Sequence, residues 1–425
     1  MSRGERRRLG GAFTDAQVIV AARGLRSFAY GMLAVVLGVA LAREGLSPVA
    51  IGSLITVSLV GDFGGTYVTG LAADDWGRRR TLVGLALLMA ATGAVFGLTG
   101  LYPLLLVAAF FGTLGTSASE TAPFLPIDQA MLPQTSSPTG RTALFARYNL
   151  VAYVTGALGA LAAGLPDVLA ARGLPRDAGI RLVFALYVVS ALLTALLVAR
   201  LSARVEASAQ SQGQPDADSS IQTRHSRRLV PPLGASRSLV LRLAGLFSVD
   251  ALAGGLVVQS LLVLYFHLRF GVALAPLAVL FFGANVLSAL SFLAAAPLAR
   301  HFGLLNTMVF THLPSNILLA LVALMPTFPL AALALLARQA LSQMDIPTRQ
   351  AYSMALVPPE TRTAAASVTS LARSAGSSSS PVLAGLLLQG PLLALGLPFL
   401  VAGLLKAAYD LVLWQIFRRV AVKES

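Results

Sequence analysis

The sequence contains no cysteine, which excludes disulfides, thiolate metal sites, iron–sulfur clusters and cysteine nucleophiles together. Charge is scarce as well. Asp, Glu, Lys and Arg make up 12% of the 425 residues, about half the ~25% of a soluble domain, so a water-facing surface for a fold of this size is not available. Acidic residues are the scarcer sign, 18 against 32 Lys and Arg. In a chain that is 56% hydrophobic that excess reports topology rather than nucleic-acid binding, because Lys and Arg collect in cytoplasmic loops. No Gly-rich phosphate loop ending in Gly-Lys-Ser/Thr is present, so ATP-driven transport has no support. His225, His267, His301 and His312 show no metal-ligand spacing. No nucleophile or acid pair stands at a spacing that demands an enzyme, and no cofactor is implied.

What the sequence has in abundance is long apolar runs. Twelve occur, at about 16–42, 48–71, 81–100, 103–128, 142–165, 178–200, 238–266, 275–297, 305–325, 329–352, 363–388 and 392–417, each near the ~20 residues that a membrane helix needs. Basic clusters stand at Arg6, Arg7 and Arg8, at Arg78, Arg79 and Arg80, around Arg200, Arg204, Arg224, Arg227 and Arg228, at Arg300, and at Arg418, Arg419 and Lys423. With twelve spans they share one side, which the positive-inside rule makes the cytoplasm, with both termini inside. Arg23 and Arg26 interrupt what would be the core of a signal peptide, so the first span is expected to be retained.

Residues 202–236 are rich in Ser, Gln, Asp and Pro and read as a flexible cytoplasmic linker between two six-helix halves, 1–201 and 237–425. A repeat supports the division. Pro126–Ala130 (PIDQA) and Pro347–Ala351 (PTRQA) stand 221 apart (347 minus 126), and in the same register Arg141-Thr142-Ala143 matches Arg362-Thr363-Ala364 and Ala163-Gly164-Leu165 matches Ala384-Gly385-Leu386. Two halves of like orientation are what a parallel duplicated transporter requires.

Between spans two and three the chain reads Gly70-Leu71-Ala72-Ala73-Asp74-Asp75-Trp76-Gly77-Arg78-Arg79-Arg80. Gly70, Asp74, Gly77, Arg78 and Arg79 resemble the cytoplasmic-loop signature of the major facilitator superfamily; Asp75 departs from it, since a basic residue is usual there. The loop at Ala296–Gly303 looks like a decayed second copy. The resemblance covers essentially the whole chain. It implies an all-α membrane protein of twelve transmembrane helices in two pseudo-symmetric six-helix bundles. It also implies that Asp74 docks near Arg362 at the start of span eleven, holding the outward-open state closed inside, and that spans one, four, seven and ten line a central cavity. Gly156, Gly159 and Gly164 in span five resemble the glycine-rich motif of proton-linked drug exporters, without its Gly-Pro pair, and close helix packing explains small residues equally.

A charge near the bilayer midplane costs several kcal/mol, so it faces a cavity or a partner. The four cavity-lining spans carry Arg26, Glu120, Asp250 and Arg338; Asp62, Arg147 and Arg373 add to these, with Asn149, Gln259, Asn285, Gln339 and Gln343 able to orient a ligand. Simpler roles are expected elsewhere. Arg23 reaches the interface, Asp345 pairs with Arg338 or Arg349, Lys406 and Asp410 form an intrahelical pair, Asp128 and Arg349 are gate or interface charges, and His312 is a packed polar residue.

The function that follows is a secondary active transporter, probing both sides of the membrane by alternating access around a midplane site. Glu120 and Asp250 are the first candidates for proton carriers, with Asp62 and Asp345 behind them. Arg26, Arg147, Arg338 and Arg373 recognise an anionic part of the substrate or neutralise the acids. Proton-coupled efflux of a small organic solute is the leading reading, uptake of an organic anion the alternative, and a non-transporting receptor or lipid-handling protein the reading from another class. The expected partners are the small-molecule substrate, protons and membrane lipids, without nucleic acid, for a monomer in the inner (cytoplasmic) membrane.

Overall fold

The computed structural model describes residues 14–116, 123–135, 140–206, 236–358 and 361–418, and the regular elements among them are all helical. Nine helices among the described residues are long and apolar enough to cross a bilayer. They are span one (Asp15–Arg43), two (Pro48–Trp76), three (Arg78–Leu98), five (Arg141–Ala162, continued to residue 170), six (Arg176–Val198), seven (Arg237–Gly255 and Gln259–Phe270), eight (Leu274–Phe302), nine (Leu304–Leu324) and twelve (Leu397–Phe417). The other three are split: span four into Tyr102–Phe111 and Phe124–Met131, ten into Phe328–Ser342 and Asp345–Ala355, eleven into Arg362–Ser379 and Pro381–Leu387. The sequence explains the splits. Gly112, Gly115 and Pro123 bracket the gap in span four, and Pro381 opens the second piece of span eleven, where its missing N–H ends the preceding ladder. Most of the expected linker, 207–235, lies outside the described residues, as do the basic clusters at Arg6–Arg8 and Arg419–Lys423.

Helix starts follow local chemistry. Thr14 and Gln17 form a reciprocal capping box at span one, and Ser47 caps span two ahead of Pro48. Spans two and three meet at Gly77 (φ 94°), eight and nine at Gly303 (φ 79°), a left-handed region that favours glycine. The equal geometry of these two turns fits their reading as copies.

Helix pairing repeats as well. Span one packs on five as seven packs on eleven, three on six as nine on twelve, and two on four as eight on ten. Span one is the central helix of its half, with 83% of its apolar window buried against 33–56% in the others. The outward faces carry Leu98, Phe111, Leu150, Leu293, Leu333 and Leu404, an apolar coat suited to lipid.

The halves are joined at the end away from the basic loops. A side chain at Gly52 would strike the Pro381 carbonyl, and one at Gly385 the Pro48 carbonyl, a reciprocal close approach of spans two and eleven. Nearby, Ala275 N donates to Asp167 Oδ2 (2.7 Å) and Val382 N to Thr56 Oγ1 (3.1 Å), and deeper Ser260 N and Oγ donate to the Thr116 carbonyl (3.3 and 3.0 Å).

Candidate transport cavity

In the first half, span one brings Arg26 to Asp128 on span four, Nη2 to Oδ2 2.5 Å, both buried. Tyr148 of span five donates to the same oxygen at 2.9 Å. The Arg26 guanidinium lies over the Phe124 ring (4.5 Å) and that of Arg23 over Tyr148 (5.0 Å). Arg23 is thus buried rather than reaching the interface, and Asp128 is a charge at the interface of spans one and four. The correction to Arg23 has a physical cause: Tyr148 offers a ring face that periodicity alone could not place.

In the second half, Asp250 is a hub. Its Oδ1 accepts from Lys406 Nζ of span twelve (2.5 Å) and its Oδ2 from Arg373 Nη1 of span eleven (3.1 Å) and Arg349 Nη1 of span ten (3.4 Å). Arg349 Nη1 also donates to Asp345 Oδ2 at 2.6 Å, so of the two expected partners of Asp345 it is Arg349 that pairs. Lys406 and Asp410 do not form the expected intrahelical pair. Asp410 instead accepts from His312 Nδ1 (2.9 Å) and Asn316 Nδ2 (2.8 Å) on span nine. His312 is therefore a hydrogen-bond partner of Asp410, not simply a packed residue. Burial decides this: a buried charge takes the nearest fixed counter-group on a neighbouring helix over a flexible one on its own.

Arg338 donates through Nη1 to Gln339 Oε1 at 2.5 Å, while its Nε is buried with no hydrogen-bond partner. Gln339 also accepts from Ser342, whose hydroxyl accepts from Gln343 Nε2 (3.1 Å). Gln259 Nε2 and Asn285 Nδ2 are buried and unbonded. Asp62 is buried, its Oδ1 without a partner. Arg147 is exposed in register with Leu150, Val154, Leu158 and Leu161, the outward stripe of span five, so it does not face the cavity as expected. Asn149 lies one turn from Tyr153, which meets Phe292 of span eight across the halves at 6.0 Å. Glu120 lies outside the described residues.

At the loop between spans two and three, Arg78 Nε donates to Asp74 Oδ1 at 2.7 Å. Glu206, just past span six, caps span three, accepting from Arg78 N (2.7 Å) and Arg79 N (3.2 Å), a helix N-terminus being an anion site. Arg79 Nη1 donates to the Leu201 carbonyl. Nothing crowds Gly70. Arg362 donates to the Met354 carbonyl within its own half, so the Asp74 docking implied by the resemblance is not formed in this arrangement, in which the halves meet at the opposite end. Glu206, Tyr148 and Asn316 were not singled out from the sequence. Only His312 and Asn316, four apart on one helix face, left a readable signal.

Residues 19–342 match the family model described as Major Facilitator Superfamily. An uncharacterized membrane protein of Saccharomyces cerevisiae is 28% identical over 335 residues, covering 75% of each chain. Among solved structures, an inward-facing, occupied bacterial homolog of the human lysosomal transporter Spinster aligns over 100% of both chains (TM-score 0.72, 15% identity). The inward-open xylose transporter XylE of E. coli aligns over 94% of this chain and 96% of its own (TM-score 0.69, 15% identity). The nucleoside transporter NupG, as a D323A mutant, aligns over 95% and 100% (TM-score 0.70, 12% identity).

Proposed function

Because the chain belongs to the major facilitator superfamily, a family of transporters rather than enzymes, we propose that it is a proton-coupled secondary transporter for a small organic anion. The observation that carries the reading is the charge around Asp250. Four cationic side chains, Arg338, Arg349, Arg373 and Lys406, stand against the carboxylates of Asp250 and Asp345, with Asp410 and its partner His312 beside them. Arg373 remains 34% exposed, and Arg338 has an unused Nε, so both have capacity for an external anion.

An arriving carboxylate or phosphate competes with Asp250 for Arg373. Asp250 then keeps only Lys406 and Arg349, and one proton taken up on the acids of this cluster with each monoanion leaves the loaded site with no added charge. Arg349 stays with Asp345 at 2.6 Å and keeps the pocket assembled. The two halves, 1–201 and 237–425 joined by 202–236, rock around this site in the cytoplasmic membrane, with the basic end and both termini inside and the chain acting as a monomer.

Uptake is the favoured direction. A membrane potential negative inside opposes entry of an anion by ~2.3 kcal/mol per charge per 100 mV, so import needs protons and acids to carry them. The sequence reading of efflux leaned on the glycines of span five, and packing accounts for them: a side chain at Gly31 of span one would strike the Gly156 carbonyl, and one at Gly159 the Phe28 carbonyl.

The test is reconstitution. Proteoliposomes under an inward-directed pH gradient should accumulate at least one member of a panel of mono- and dicarboxylates and phosphate esters, and Arg373→Ala should lose that accumulation. Ligand binding with no accumulation under any gradient would make the chain a receptor or lipid-handling protein; movement of neutral or cationic solutes alone would overturn the anion assignment.

A further inference from the structure

The first half holds a second polar pocket that the anion site does not use. Asp62 of span two is 7% exposed, and its Oδ1 has no hydrogen-bond partner. No Lys, Arg or His among the described residues forms an ion pair with it. Ser58, one turn earlier on the same face, has a fully buried hydroxyl that is also unbonded, and the buried hydroxyls of Tyr30 of span one and Thr113 of span four have no partner beyond each other. The Tyr30 hydroxyl lies next to that of Thr113, and the charge of Asp62 is felt at the hydroxyls of Tyr30 and Tyr187.

The position of this aspartate is specific. Gly61 lies against the Phe110 backbone, just before the break in span four, and Gly65 against the Pro123 ring, just after it. Asp62 therefore stands beside the open C-terminal end of the helix Tyr102–Phe111, where unpaired carbonyls carry partial negative charge. A buried carboxylate beside a negative helix end, with the buried hydroxyl of Ser58 on its own helix face, that of Tyr30 near by and no ion-pair partner among the described residues, lacks a positive charge.

We infer that Asp62, Ser58, Tyr30, Thr113 and the non-helical backbone of residues 113–116 form a binding site for a sodium ion. One carboxylate neutralises a monovalent cation and leaves a divalent one uncompensated. A small hard cation takes several oxygen donors at once, whereas a proton on Asp62 satisfies a single acceptor. Broken membrane helices present carbonyls to sodium in this manner. The site also has a mechanical outlet. Thr113 O accepts from Tyr187 (2.5 Å), and three residues on, Thr116 O accepts from Ser260 N and Oγ of the other half. Ordering of this segment by sodium steadies the contact that closes the end away from the basic loops.

The test is thermal unfolding of the purified full-length protein at constant pH, with NaCl replacing choline chloride at fixed ionic strength and no organic anion present, so the outcome does not depend on the anion reading. A ligand bound only by the folded state raises Tm in a saturable way. The wild type should show such a rise with Na+ and not with K+, Asp62→Asn should abolish it, and Thr113→Val and Tyr30→Phe should shift its midpoint several-fold upward. An absent sodium response in the wild type overturns the inference, and so does one that survives unchanged in Asp62→Asn. A stabilisation produced only by acidification and lost in Asp62→Asn makes the pocket a proton site instead. Should Asp62→Asn fail to fold, unchanged midpoints in both Thr113→Val and Tyr30→Phe reject the site.

Discussion

Asp128 and Arg349 stand 221 positions apart (349 minus 128) at equivalent places in the two halves, and each closes an ion pair with the first helix of its own half, Asp128 with Arg26 at 2.5 Å and Arg349 with Asp250 at 3.4 Å. The pair is kept and its signs are exchanged. In the first half the cation is on the first helix; in the second it is on the fourth. Pairing span one with span four, and seven with ten, ties the first helix of each half to its fourth while giving the two pairs opposite polarity.

Arg26→Ala should destabilise the protein by about 3–5 kcal/mol, the usual cost of leaving one buried charge behind. The double variant Arg26→Met, Asp128→Leu should recover most of that loss. Thermal unfolding in detergent measures both; a double variant no better than Arg26→Ala would show that the pair does not act as a unit.

Asp250→Asn leaves Arg349, Arg373 and Lys406 facing an amide. We expect accumulation driven by a pH gradient to disappear and the Tm to fall. Adding Lys406→Met should restore Tm by removing the nearest uncompensated cation but should not restore accumulation, since no proton acceptor returns. Proteoliposome uptake with parallel melting curves separates the two effects.

The triad His312–Asp410–Asn316 joins spans nine and twelve; it lies beside Asp250, but its hydrogen bonds do not include Arg338 or Arg373. His312→Leu should cost about 1–3 kcal/mol, the penalty of a buried polar group left without its donor, with the transport rate per folded molecule near wild type. A selective loss of transport at unchanged Tm would move the triad into the mechanism.

At the loop, Asp74→Asn removes the partner of Arg78 in the state described here and, by the family resemblance, the docking group for span eleven in the other state. Transport should drop while Tm stays close to wild type, because Asp74 is 62% exposed. Gly77→Ala should behave differently, with a loss of roughly 1–2 kcal/mol from forcing a Cβ into left-handed backbone, read as lower Tm.

Much of the architecture was legible because the relevant signals are one-dimensional. Apolar length gives the spans, basic residues the shared side, and the register from Pro126 to Pro347 the duplication. The breaks in spans four, ten and eleven were not read, since hydropathy is blind to a helix that stops and restarts within an apolar run. Of the ionisable residues, Asp250 and Arg373 were grouped together and do pair with each other, but their other partners were not read. Lys406 was matched with Asp410 because the two are four apart, and the sequence holds no record that spans seven and nine press against span twelve and offer each a closer partner. Arg147 was grouped with the cavity on depth alone; the Leu150, Val154, Leu158 and Leu161 stripe that faces it outward was already in the sequence.

The central claim is that the two halves alternate around the Asp250 site, and the absence of cysteine makes it directly measurable, since introduced thiols are the only ones present. Spin labels at Asp75→Cys with Ala366→Cys report the basic end, and labels at Glu44→Cys with Gln389→Cys the opposite end. Distance distributions by double electron–electron resonance in lipid nanodiscs, taken across a pH series, should each contain a short and a long population. As pH changes, the short population at one end should grow together with the long population at the other. Distances that stay single and unmoved at both ends at every pH, or that lengthen at both ends together, would contradict alternating access.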